Sequence, residues 1–279
     1  MDNKMVPTCF DGDSPVFEEN YHKNGHIYWY ASDLMRMLGY EEYSPVMKPI
    51  QKALQVCMST NIDTMENFIE ERRMVNGKEA KDFRITRFAC YLISMNADTK
   101  KPNVAKAQIY FAGLTAQIQE FIHSHEDIER VTLRSEITDH EKSLSSTAKE
   151  FGIVNYAYFQ SEGYRGLYNM PLGRLKMLKG IPKGKPAFDY MGPEELGANI
   201  FRITQTEAKI KRENISGQYC LEKASYVVGR NVRKAISEMN GTMPENLEVQ
   251  EDINKIKSEL KRTRKQFEKT DKDKLLEEK

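Results

Sequence analysis

Hydrophobic positions obey two regimes along this chain: alternation near the start, then a helical period through most of the remaining sequence. Over 15–30, aromatic and β-branched residues flank KNG at 23–25, so PVFEEN and HIYWYA predict a β-hairpin. Ser32 is placed to cap a helix with Leu34, Met35 and Leu38 on its inner face, ended by Gly39. Ile50, Leu54 and Cys57 continue at helical spacing. The run FIEERRMVNGKEAKDFRITRFACYLISMNA predicts a second hairpin turning at Asn76-Gly77, then a helix carrying Phe88, Leu92 and Met95. From Pro102 one long stripe holds Val104, Ala107, Phe111, Leu114, Ile118 and Phe121. After a bend at HSHE (123–126) a second stripe holds Leu133, Ile137, His140, Leu144 and Ala148. Residues 153–190 predict only short helical pieces between glycines and prolines. Two regular helices come next: 194–213, burying Leu196, Ile200, Ile203 and Ile210, and 219–239, with Val228, Val232, Ile236 and Met239.

These elements predict an α+β, mostly α-helical chain. A flexible terminus (1–14) precedes a small α+β domain (15–120), a helical C-terminal domain (121–248) and a charged tail (249–279). The tail has ten bases and eight acids from 250 onward and few apolar groups, so it is expected to be disordered or a lone fraying helix. The helices over 103–150 are the candidate surface for a homo-oligomer.

Charge changes this picture through its distribution, since the net value is only +1. Residues 1–70 hold five bases and eleven acids, whereas 72–109 hold nine bases and three acids. Residues 163–186 carry Arg165, Arg174, Lys176, Lys179, Lys183 and Lys185 with no acid, among five glycines and beside Tyr164 and Tyr168. Cations among aromatics and open backbone suit nucleic acid, because charge neutralises phosphate and rings stack on bases; the plain alternative is a solvated surface connection. The second hairpin is a further nucleic-acid candidate through Arg72, Arg73, Lys78, Arg84 and Arg87, with Lys81 beside them; it reads equally as an exposed charged hairpin. Trp29 and Tyr40 are read first as anchors of a small core.

The wording of several stretches adds to this. GYRGLY, KGI and FDYMGPEELGANIFRITQTEAKIKREN resemble the C-terminal half of the DNA damage-inducible protein D family. NGHIYWYASDLMRMLGY resembles the BRO-N domain, in which a tryptophan-bearing strand leads into a short helix ending LGY. The resemblance runs from about residue 15 to 247. It implies a non-enzymatic protein of the DNA-damage (SOS) response acting near DNA and recombinase filaments. It identifies no catalytic or binding residue. Single-stranded and duplex DNA both stay open as the form bound, with a recombinase filament as the candidate protein partner.

Mean hydropathy of −0.65, no membrane-length apolar run and a start without a basic region and apolar core lead to an expectation of a cytoplasmic protein. Cys9, Cys57, Cys90 and Cys220 lie far apart and are expected reduced. No enzyme, cofactor or metal is expected. His123 and His125 have no cysteine near them in sequence. Asp189 with Glu207 and Lys209 imitates a metal-dependent nuclease pattern, but on a helix Glu207 and Lys209 point about 200° apart. The run 163–186 lacks a phosphate-loop signature. BRO-N alone suggests the main alternative, a DNA-binding transcriptional regulator or antirepressor; the nuclease is the other.

Overall fold

The computed structural model of the chain describes residues 10, 16–75, 77–116, 125–239 and 241–277. The chain divides into two compact units, Met1–Ile128 with Lys255–Lys279, and Glu129–Asn254. The expectations at Asn76, Ile118, Phe121 and His123 lie outside the described residues, as does most of 1–14. Phe10, placed in the flexible terminus by sequence, is buried and stacks 5.6 Å from Phe17.

In the first unit, α1 (Val16–Glu19) and β1 (His22–Lys23) precede β2 (Ile27–Tyr30) and α2 (Ala31–Met37). Then come α3 (Lys48–Ser59), α4 (Thr64–Asn67), β3 (Phe68–Val75), β4 (Lys78–Ile85), α5 (Arg87–Met95) and α6 (Pro102–Ala116). The antiparallel sheet runs β1-β2-β4-β3, with Trp29 opposite Ile85 and Ile85 opposite Phe68. Successive strand residues face opposite sides, so these three enter the core together. Every residue of α5 is buried, as expected of a helix apolar nearly all round.

Two sequence expectations fail locally. Within PVFEEN, Val16–Glu19 form a helical turn rather than a strand: one turn lets Phe17 stack 4.5 Å from Trp29 while Glu18 reaches Arg87. Tyr30, not Ser32, occupies the N-cap of α2. Ser32 is buried and donates its hydroxyl to Asp82 at 2.5 Å.

In the second unit α7 (His125–Glu150), which begins just before its boundary, leads to α8 (Tyr156–Tyr168) and α9 (Leu172–Leu178). A 3-10 turn (Ala187–Tyr190), α10 (Pro193–Glu213), α11 (Gln218–Glu238) and a second 3-10 turn (Pro244–Asn246) complete the order. The segment predicted as short helical pieces holds α8, α9 and the 3-10 turn, with α8 capped by Asn155 and ended by Asn169 at φ 55°; what sequence missed is that α8 runs unbroken through Gly163 and Gly166. Its glycines are not open backbone. A methyl at Gly166 would stand 2.3 Å from the Tyr226 carbonyl, and one at Gly229 would stand 2.6 Å from that of Gly163. Glycine on both helices therefore brings the backbones of α8 and α11 together. The 103–150 stripes also turn inward: Val104, Ala107 and Phe111 are buried in the first unit, and Ile137, Leu144 and Ala148 in the second. Those residues are committed to the interior of their own units.

The tail is a correction too. Residues 253–277 form α12 (Ile253–Glu277), with Ile256, Leu260, Thr263 and Phe267 buried. Steps of three and four place them on one helical face, and Phe267 packs edge-on against Tyr91 at 6.0 Å. The many charges occupy the remaining faces.

Gly166→Ala should destabilise the second unit by about 1–3 kcal/mol, because neither backbone can recede. Gly173→Ala, with nothing within 4 Å, should be neutral or stabilising. Urea unfolding monitored by circular dichroism checks both; equal effects would refute the close-contact account.

Candidate nucleic-acid interface

Strand alternation that sends Trp29, Ile85 and Phe68 inward sends Tyr28, Tyr30, Arg73 and Arg84 to the opposite face. Arg84 lies opposite both Tyr30 and Ile69. His22, opposite Tyr28, joins them. Its ring stacks on Tyr28 at 5.4 Å and meets Tyr30 edge-on at 4.9 Å, while Tyr28 and Tyr30 stand perpendicular at 5.6 Å. The Arg73 guanidinium covers Tyr30 at 3.8 Å and that of Arg84 lies 5.4 Å from Tyr28. Both arginine side chains are about a quarter exposed, at 27% and 28%. Asp33 pairs with Arg73 at 2.9 Å and Glu71 with Arg84 at 2.8 Å. Burial pushes the Tyr30 phenol up, with Tyr28 and Glu71 adding to the effect, so the ring stays neutral. This half-exposed aromatic and guanidinium surface can stack on planar rings.

The basic character read for the hairpin is largely cancelled on folding. Arg72 faces Glu79 at 3.9 Å and Lys81 faces Glu70 at 2.6 Å, besides the two pairs above. Among the described residues Lys78 has no acid within ion-pair distance. Arg87, expected to contact nucleic acid, is buried with Glu18 and Asp271, the latter at 2.7 Å. Sequence showed the bases and not the cross-strand acids. It also gave no weight to Tyr28 and Tyr30, although their positions on either side of Trp29 place them on its opposite face.

The 163–186 block is corrected more deeply. Tyr164 and Tyr168 are buried and stack on one another at 5.8 Å; Asn199 donates to the Tyr168 hydroxyl at 2.7 Å. Lys179 is buried, donating to Glu195 at 3.0 Å and to the Leu247 carbonyl at 2.9 Å. Burial raises the Glu195 carboxyl, and Lys179 opposes that rise. These three residues leave the interface. Arg165 pairs with Glu162 at 2.7 Å, Lys185 with Asp252 at 3.1 Å, and Lys176 donates to the Lys185 carbonyl at 2.7 Å. Arg174 and Lys183 are exposed, with no acid at ion-pair distance among the described residues.

The other sequence candidates have structural places of their own. Trp29 is fully buried, and the Tyr40 hydroxyl accepts from the Asp98 amide at 3.1 Å. Asp189 binds Arg134 at 2.7 Å, while Glu207 pairs with Lys211 and Lys209 with Glu213. The nuclease-like trio is thus engaged separately. Among the described residues no helix is long and apolar enough to cross a membrane.

Because Lys179 is part of the core, Lys179→Met should cost about 3–5 kcal/mol by stranding a buried carboxylate. Lys179→Met with Glu195→Met should recover most of that loss. Denaturant unfolding of the two variants decides it, and a Lys179→Met protein of full stability would return this lysine to the surface.

The BRO family N-terminal domain matches residues 19–112, the stretch holding the aromatic face, and the DinD C-terminal domain matches residues 124–256. Over 257 residues the chain is 37% identical to DNA damage-inducible protein D of Escherichia coli (strain K12), a match that covers 87% of this chain and 94% of that relative. Identity at this level across nearly all of both chains means that this protein belongs to the DNA damage-inducible protein D family.

Proposed function

We propose that this chain is a non-catalytic DNA-damage response factor that binds unpaired DNA bases on the outer face of its BRO-type sheet and modulates recombination there. The supporting observation is the cluster of His22, Tyr28 and Tyr30 under Arg73 and Arg84. Stacking on rings is available to any base and needs the base unpaired. Coating of duplex is disfavoured by the same geometry: the hairpin bases are mostly matched to acids, so few phosphates can be neutralised and little counterion release is gained. In a damaged cell, unpaired bases occur where recombinase filaments assemble. Such a filament offers the family's candidate partner beside the strand, and two modest attractions then combine through effective concentration. The surface cations Arg165, Arg174, Lys176, Lys183 and Lys185 remain secondary phosphate contacts in this reading.

Fluorescence anisotropy on a single-stranded 20-mer and its duplex tests this. The single strand should bind more tightly, with a log–log salt slope shallower than about −2, equivalent to two or three phosphates. Tyr28→Ala and Tyr30→Ala should each weaken it by about 1–3 kcal/mol. Strand-exchange rates should change with wild type and less with these variants. Tighter, sequence-dependent duplex binding that ignores both tyrosines would instead support the regulator reading.

A further inference from the structure

β2 pairs with β4 only at Trp29–Ile85 and Tyr30–Arg84. Ile27 and Tyr28 therefore run on past the end of β4, which turns at Thr86 into α5. Where the sheet stops, α12 forms the other wall of a cavity of about 500 Å³, within the size range of small-ligand sites. Its floor is apolar: Ile27, Ile85, Phe88 and Phe267 are all buried.

The polar lining is uneven in what it leaves free. Glu66 and Glu268 both pair with Arg264, the latter at 2.7 Å, and Asp271 pairs with Arg87 at 2.7 Å. Each of the three lining acids thus has a basic partner, with Glu66 and Glu268 sharing Arg264 and Asp271 sharing Arg87 with Glu18. Lys272 lies on the same wall of α12 and has no acid at ion-pair distance among the described residues. Arg84 stands at the rim with Tyr28, and both also belong to the stacking face.

An apolar floor, an aromatic wall and, at the rim, the unpaired Lys272 together with Arg84, whose guanidinium is held by Glu71, suit a flat ring bearing an anion. We propose that this cavity binds one nucleotide unit, with its base on the floor and its phosphate toward Arg84 and Lys272. The inference rests on the DNA-binding reading of the adjoining face, because Tyr28 and Arg84 make the two surfaces continuous. The nucleotide is either part of a strand lying on that face or free.

Calorimetric titration of the full chain with dAMP and with a (dA)6 hexamer tests the site. Leu275→Trp fills the cavity and Lys272→Glu reverses its free charge; each should weaken the bound probe at least tenfold. Tyr30→Ala, outside the cavity lining, should weaken only the hexamer. Hexamer binding without dAMP binding, still lost in Leu275→Trp, assigns the site to a nucleotide within a strand. dAMP binding lost in Leu275→Trp while the hexamer is unaffected assigns it to a free nucleotide. Hexamer binding that falls with Tyr30→Ala but survives both cavity variants, with dAMP unbound or equally indifferent to them, overturns the pocket and leaves the face standing. No binding of either probe by wild type removes both. Circular dichroism melts control for folding, and Lys272→Glu, at an exposed position of α12, carries the test if Leu275→Trp unfolds.

Discussion

The first unit depends on one guanidinium. Arg87 opens α5, is almost entirely buried, and lies 4.9 Å from the Trp29 ring while binding Glu18 and Asp271. Glu18 also accepts from the Tyr110 hydroxyl and binds Lys274 at 3.2 Å. A single buried cation thereby joins α1, β2, α5, α6 and α12. Desolvating three charges is expensive, and such a cluster is favourable only when its hydrogen bonds are complete. Burial by itself would raise the Glu18 carboxyl, yet its bonds to Arg87 and Tyr110 hold it below the usual range. Burial raises that of Asp271, which has fewer donors. The cluster therefore fixes the position of α12, and with it one wall of the cavity at the sheet end.

The second unit is governed by distance rather than charge. Gly166 and Gly229 let α8 approach α11 closely enough that backbone meets backbone, and Gly163 leaves room for the Arg202 and Ser225 side chains. Around that contact the unit buries polar groups along with apolar ones. Arg202 lies over Tyr164 at 5.1 Å and donates to Asn199, whose own amide donates to Tyr168. These residues resemble a binding surface in one dimension and make an interior in three.

Legibility in the sequence tracked the strength of local signals. The helices beginning at Pro193 and Gln218 were readable because apolar residues recur there at helical spacing and flanking glycines or proline mark the ends. The second hairpin and the anchoring of Trp29 were readable for similar local reasons. Glycine inside α8 misled, since its usual meaning is a break and its role here is contact with a helix some sixty residues later. The α12 stripe was diluted by Thr263 among charged neighbours. Charge cancellation could not be read from composition either. Lys81 opposite Arg72 and beside Glu70 is a matter of register, and Arg87 meets an acid 184 residues away.

The path of the chain has a consequence for biogenesis. The first unit is made of two pieces of sequence, with the whole of the second unit between them. On the ribosome the sheet and α5 emerge early, but the helix supplying Phe267 and Asp271 emerges only after the second unit. Until then Tyr91 lacks one of its aromatic neighbours, Phe267, and Arg87 lacks one of its two carboxylates, while the second unit already has all of its sequence. The later-made unit can thus reach its fold first, and the earlier one waits, incompletely buried, for α12.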